Sequence, residues 1–60
     1  YYIMGRIYYI SSQINLSKDD INEAIENLEE SIENYQLAEK NDRILSSLLE
    51  LIQIYFNKNE

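Results

Sequence analysis

The pattern that decides the fold lies in residues 21–35, which read INEAIENLEESIENY. Its large apolar residues follow alternating steps of four and three, which places them on one face of an α-helix; they are Ile21, Ile25, Leu28, Ile32 and Tyr35. Ala24, Ser31 and Ala38 form a line of small residues beside that face. Because small side chains let a neighbouring helix approach closely, the stretch predicts a helix that packs tightly against another.

Helical periodicity continues in both directions from this stretch. The predicted helices cover residues 1–13, 18–40 and 43–57. Within the first and one residue beyond it, four isoleucines mark a stripe on one face: Ile3, Ile7, Ile10 and Ile14. No alternating apolar run or turn dipeptide indicates a strand, and Pro is absent. The predicted fold is therefore all-α, with three antiparallel helices in a helix-turn-helix arrangement and a single domain over residues 1–60.

Capping residues set the expected helix ends. Ser17 is the predicted N-cap of the second helix, where Asp20 completes a capping box, and Asp42 is the predicted N-cap of the third. With these ends the second helix is roughly 34 Å long and the first only about 20 Å. Antiparallel partners normally match in length, so we expect the chain to be a piece of a longer protein whose first helix begins upstream.

The third predicted helix is apolar over more than half of its circumference, through Ile44, Leu45, Leu48, Leu49, Leu51, Ile52, Tyr55 and Phe56. A helix of this kind is expected to make contacts on two sides. One side can pack on the first two helices, and the other is expected to face a further helix or a second copy.

The charge distribution limits the classes of partner. The net charge is −6, and eight of the eleven acidic residues lie between Asp19 and Glu39 without an intervening Lys or Arg. Binding of nucleic acid or of an anionic membrane needs a basic surface, so neither partner is expected. A basic peptide is compatible with this charge, although a solvated acidic helix face that aids solubility is the preferred interpretation.

Catalytic and cofactor chemistry is not predicted. The chain has no Cys and no His, and its single Gly cannot form a phosphate-binding loop. Four glutamates at three- and four-residue spacing could hold a cation: Glu26, Glu29, Glu30 and Glu33. Di-metal bundles pair such glutamates with His, which is absent, so a solvated face is preferred and no metal, cofactor or enzyme activity is expected.

One spacing occurs twice and carries a family resemblance. Tyr1-x-x-Met4-Gly5-x-x-Tyr8 recurs 47 residues later as Leu48-x-x-Leu51-Ile52-x-x-Tyr55, with Ala24-x-x-x-Leu28 between them. These spacings resemble the first- and second-helix signatures of the tetratricopeptide repeat (TPR) family, in a long-helix variant of about one and a half repeats. The resemblance implies an α-solenoid fragment and a non-catalytic module that binds a protein or peptide, within a larger regulatory or sensor protein.

The resemblance also implies where a partner lies, since first helices line the concave face of such arrays. The outward positions that it assigns to partner binding are Tyr2, Arg6, Tyr9, Leu49, Gln53, Phe56 and Asn57, with Ile10 beside them. The alternative is that the apolar members of this set pack on adjacent repeats or on another copy. In that case the chain is a structural element that self-associates through its third helix as a homo-oligomer.

Overall fold

The computed structural model describes residues 1–58, which form three α-helices and no other regular element in that range. Helix α1 spans Tyr2–Ser17, α2 spans Ile21–Leu37 and α3 spans Asn41–Lys58. The predicted all-α class is confirmed. The helices contain 16, 17 and 18 residues, so the expectation that the first helix is much shorter than the second is wrong.

Helix ends differ from the predicted ones because both connections use the same compact geometry. In the first, the backbone N–H of Asp20 donates to Asn15 O at 2.8 Å and that of Asp19 donates to Leu16 O at 3.1 Å. In the second, Lys40 and Glu39 donate in the same way to carbonyls of the last turn of α2. This pair of bonds is the Schellman arrangement, which satisfies the last carbonyls of a helix.

Each connection places an acidic residue in the left-handed region of backbone space, with φ of 64° at Asp19 and 58° at Glu39. Glycine is the usual residue at this position, and an L side chain there costs roughly 1–2 kcal/mol. Ser17, predicted as an N-cap, is instead the last residue of α1, where its Oγ donates to Ile14 O at 2.7 Å. The α2 helix starts from Asp20 as N-cap.

Contacts between α1 and α2 include hydrogen bonds made by small and polar residues. Ser31 is fully buried, and its Oγ donates a hydrogen bond to the backbone carbonyl of Gly5 at 2.8 Å. Further along α1, Asn15 accepts a hydrogen bond from the Asn27 amide at 2.6 Å. The predicted close approach along the small-residue line of α2 is therefore confirmed at Ser31.

The apolar core is centred on α2 and receives side chains from both α1 and α3. Ile54 of α3 packs with three residues of α2: Ala24, Ile25 and Leu28. Leu28 is the largest side chain that is fully buried. Around this cluster, partly buried residues complete the core from all three helices, namely Tyr9, Leu16, Ile21 and Leu51.

Candidate functional site

The isoleucine stripe of α1 faces away from α2. Ile3, Ile7, Ile10 and Ile14, the α1 stripe, are 48–69% exposed. The centre of the buried face of α1 is instead formed by Tyr2, Gly5, Tyr9, Ser12 and Leu16. Other α1 residues are partly buried, namely Tyr8, Ser11, Gln13 and Asn15. At 100° per residue, the stripe lies about 150° around the helix from that buried face. Helix α1 therefore has an apolar surface with no contact to α2.

A second stripe of the same spacing lies on α3. Leu45, Leu49, Ile52 and Phe56, the α3 stripe, are 54–66% exposed. Each lies 42 residues after its counterpart in the α1 stripe. Both stripes follow steps of four, three and four, the spacing that aligns side chains along one side of a helix.

The buried faces repeat with the same interval. On α3 four buried or partly buried positions, Ile44, Ser47, Leu51 and Ile54, lie 42 residues after Tyr2, Gly5, Tyr9 and Ser12. The partly buried Glu50 lies 42 residues after Tyr8. Inner and outer faces of α1 thus both recur on α3 at 42 residues. The 47-residue interval read from the sequence pairs different faces: Tyr8 is half-buried on α1, whereas Tyr55 is exposed on α3.

The residues assigned to partner binding fall into two separate groups. Tyr2 and Tyr9 are partly buried, and the ring of Tyr2 lies 6.1 Å from that of Tyr35 on α2. The α3 members are all exposed: Leu49, Gln53, Phe56 and Asn57. The counterparts of Leu49 and Phe56 on α1 are Ile7 and Ile14, which the sequence analysis did not assign to a site.

Basic side chains gather at the Tyr2 end of the molecule. The Arg6 and Arg43 guanidinium carbons lie 5.9 Å from the centre of the Tyr2 ring, and the Lys40 ammonium lies 5.1 Å from it. Tyr2 and Arg6 are among the residues predicted from the sequence to bind a partner, whereas Lys40 and Arg43 are not. Those residues flank the start of α3, and only the packing of α3 on α2 brings them to α1.

Beside this cluster, Tyr35 lies almost fully buried against Gly5. Burial raises the pKa of the Tyr35 hydroxyl above its ordinary value of 10.0, and the positive charge of Arg43 opposes that rise. The neutral phenol is therefore the form that this site favours.

The acidic residues remain dispersed. Within residues 1–58, no three Asp or Glu side chains converge closely enough to hold a metal ion. The only ion pair in the same range joins Arg43 to Asp42 at 3.9 Å, and both side chains are at least half exposed. The glutamates of α2 accordingly form an open, solvated face.

No described helix is both long and apolar enough to cross a bilayer. Comparison of the chain with protein-family models, with curated proteins and with solved structures finds no match in any of the three. The features of the chain that bear on its function are therefore the α1 and α3 stripes, the basic side chains around Tyr2 and the distribution of charge.

Proposed function

We propose that this chain is a non-catalytic, TPR-like scaffold module that binds protein or peptide helices on its outer faces. The observation that carries the proposal is the pair of matched apolar stripes on α1 and α3. The side chains of both stripes are about half exposed or more, and a contiguous exposed apolar patch on a monomer is often functional.

Side-chain contacts support an antiparallel, hairpin-like repeat. Along α1, Gly5 meets Ser31 and Asn15 meets Asn27, so the numbering rises on α1 while it falls on α2. On the other side of α2, Lys58 near the end of α3 reaches Asn22 near the start of α2 at 3.5 Å. Two antiparallel pairs that share α2, with faces recurring every 42 residues, are the arrangement expected of a helical repeat.

The distribution of charge on the chain also favours binding of an apolar partner surface to the stripes. Helix α1 contains no acidic residue, and α3 contains only Asp42 and Glu50. Most of the negative charge lies on α2 and its flanking turns, away from both stripes. An amphipathic helix that lays its apolar face on a stripe therefore meets little electrostatic repulsion, as in other helix-on-groove complexes.

The test is binding of a synthetic amphipathic peptide whose leucines follow the same four-three-four spacing, measured by fluorescence anisotropy. We expect saturable binding to the 60-residue chain. Leu49→Glu and Ile7→Glu should each weaken it, since a charge replaces an exposed apolar anchor. Gln36→Glu adds the same charge on α2 outside both stripes and should bind like the wild type.

Equal weakening by Gln36→Glu would show that binding follows net charge, and absence of saturable binding would refute the proposal. Circular dichroism of each variant checks that its helices are retained. Because Leu49 and Ile7 are already exposed, we expect all three variants to fold.

The second candidate is self-association through α3. The observation that favours it is the width of the apolar surface there, because Leu48 and Tyr55 extend the α3 stripe and are 40% and 43% exposed. Sedimentation equilibrium distinguishes the two candidates. A concentration-dependent dimer that Leu49→Glu converts to a folded monomer supports self-association, and a wild-type monomer at all concentrations refutes it.

A further inference from the structure

The basic cluster at the Tyr2 end, which we name the basic corner, consists of Arg6, Lys40 and Arg43 around the Tyr2 ring. These are three of the five basic residues in a chain of net charge −6. They come from α1, from the α2–α3 connection and from α3. The fold therefore concentrates positive charge at one place in an otherwise acidic molecule.

Attraction to the ring only partly offsets the repulsion among these cations. An exposed cation–π contact is only a weak attraction. The nearest acidic groups along the chain are Glu39 and Asp42, and Asp42 is 81% exposed with a long, 3.9 Å contact to Arg43. Helices α1 and α3 also both begin here, and the start of a helix carries partial positive charge. An anion at this corner would be stabilised by the three cationic side chains and by the starts of the two helices.

Arg43 connects the basic corner to a small cavity. The cavity has a volume of about 100 Å³ and is lined by Tyr9, Tyr35, Arg43, Ser46 and Ser47. Ser47 is fully buried, and its Oγ has no hydrogen-bond partner among the described residues. A buried hydroxyl without a partner is destabilising, so a ligand that accepts its hydrogen bond would be favoured.

Size and chemistry together define the ligand class. A cavity of this volume is large enough for a group of a few heavy atoms and too small for a nucleotide or a ring system. Arg pairs most strongly with planar or tetrahedral oxyanions, through charge-assisted hydrogen bonds. The hydroxyl of Ser47 can donate to the same oxygen atoms.

We propose that the basic corner and this cavity bind a compact oxyanion, a carboxylate or phosphate group that accepts hydrogen bonds from Arg43 and from Ser47 Oγ. This site is separate from the α1 and α3 stripes and does not depend on the scaffold function. Arg6 and Lys40 supply long-range attraction without direct contact. Since Glu39 and Asp42 reduce the local charge, we expect dissociation constants of about 1 mM.

The experiment is a nuclear magnetic resonance titration of the full 60-residue chain with inorganic phosphate and, separately, with acetate, at constant ionic strength maintained with chloride. We expect saturable shifts at the Ser47 amide and the Arg43 side-chain N–H. The ratio of the two affinities identifies the source: tighter phosphate binding indicates a phosphoryl ligand, and tighter acetate binding a carboxylate.

Three variants test the assignment of residues. Arg43→Gln should weaken binding about tenfold, the loss of one charge-assisted hydrogen bond. Ser47→Ala keeps every charge and should weaken binding several-fold, an effect that non-specific attraction would not produce. Lys18→Gln removes one positive charge from the α1–α2 connection and should bind as tightly as the wild type.

Linear, non-saturating shifts with both anions would overturn the proposal. So would equal weakening by Lys18→Gln and Arg43→Gln, or unchanged binding by Ser47→Ala. Arg43 is half exposed and alanine favours helix, so neither substitution is expected to unfold the chain.

Discussion

Helix α2 packs against its two neighbours in different ways. Toward α1, its Ser31 and Tyr35 pack against Gly5. The Ser31 hydroxyl donates a hydrogen bond to the Gly5 carbonyl across this interface. Toward α3, helix α2 presents aliphatic side chains to Ile54. The first interface combines close approach and hydrogen bonds with partial burial of Tyr9 and Leu16, whereas the second depends on removal of apolar surface from water.

The difference shows why equivalent positions carry different residues. Gly5 and Ser47 occupy corresponding places on α1 and α3, and both are buried. At Gly5 the carbonyl accepts a bond from Ser31, but the Ser47 hydroxyl has no partner among the described residues. At this pair of positions the α1 carbonyl is satisfied, whereas the α3 hydroxyl is an unused donor beside Arg43.

The apolar interface should be the more sensitive to truncation. Ile54→Ala truncates the one buried apolar side chain of α3. Such truncations lower the free energy of unfolding by about 2–5 kcal/mol. A core of this size supplies only ~3–5 kcal/mol in total, so we expect this variant to be largely unfolded. Urea denaturation followed by circular dichroism measures the effect.

Ile52→Ala is the matched control, since Ile52 lies on the same helix and is 61% exposed. Its cost should be within about 0.5 kcal/mol. Both variants are measured at low protein concentration so that association does not contribute. Similar losses in the two variants would show that α3 is not anchored on α2 through Ile54.

The close interface should be sensitive to the addition of one carbon atom. A Cβ at Gly5 would lie 2.7 Å from two ring atoms of Tyr35. Gly→Ala within a helix normally gains about 1 kcal/mol, but overpacking costs about 1–3 kcal/mol. Because the Tyr35 ring is almost fully buried, we expect Gly5→Ala to lower the unfolding free energy by about 1 kcal/mol.

The Tyr35→Leu background serves as the control for this change. Without the ring, Gly5→Ala should become stabilising, so the double-mutant cycle should give a coupling free energy of about 2 kcal/mol. A stabilising Gly5→Ala in the wild-type background would mean that the ring moves aside freely, and the proposed tightness of this interface would be wrong.

Much of this fold could be predicted from the pattern of α2. The three helices were expected, and Ala24 and Ser31 are buried as the small-residue line indicated. The orientation of α1 could not be read from hydrophobicity, because this helix turns Gly5 and Ser12 toward α2 and leaves its isoleucines exposed. In the packing of α1, close approach of its backbone to α2 takes precedence over burial of the isoleucine side chains. Sequence periodicity alone does not distinguish which of these two faces of the helix is buried.

Helix ends and the candidate site illustrate two further limits. The connections place Asp19 and Glu39 where glycine is the usual signal, so no residue type marked the turns. The basic corner brings Arg6 close to Lys40 and Arg43. In the sequence, Arg6 is more than thirty positions away from both of them. Local sequence patterns do not predict such contacts. The recurrence of the α1 stripe as the α3 stripe, 42 residues later, can in contrast be read from the sequence.

The smallest expected effect concerns Tyr35 and alkaline pH. Burial raises the pKa of its hydroxyl above 10.0, so above that pH the unfolded chain loses this proton while the folded chain still holds it. The contribution to stability is thus complete below about pH 10 and is lost as the pH rises through the folded-state pKa. Tyr35→Phe should remove this part of the alkaline loss, as measured by thermal midpoints across the pH series. Tyr55→Phe, which removes an exposed hydroxyl from α3, should retain the wild-type pH profile. If the Tyr35→Phe and wild-type profiles are parallel, the Tyr35 hydroxyl is not desolvated in the folded chain. Tyr35 in the α1–α2 interface would then titrate no differently from Tyr55 on the exposed face of α3.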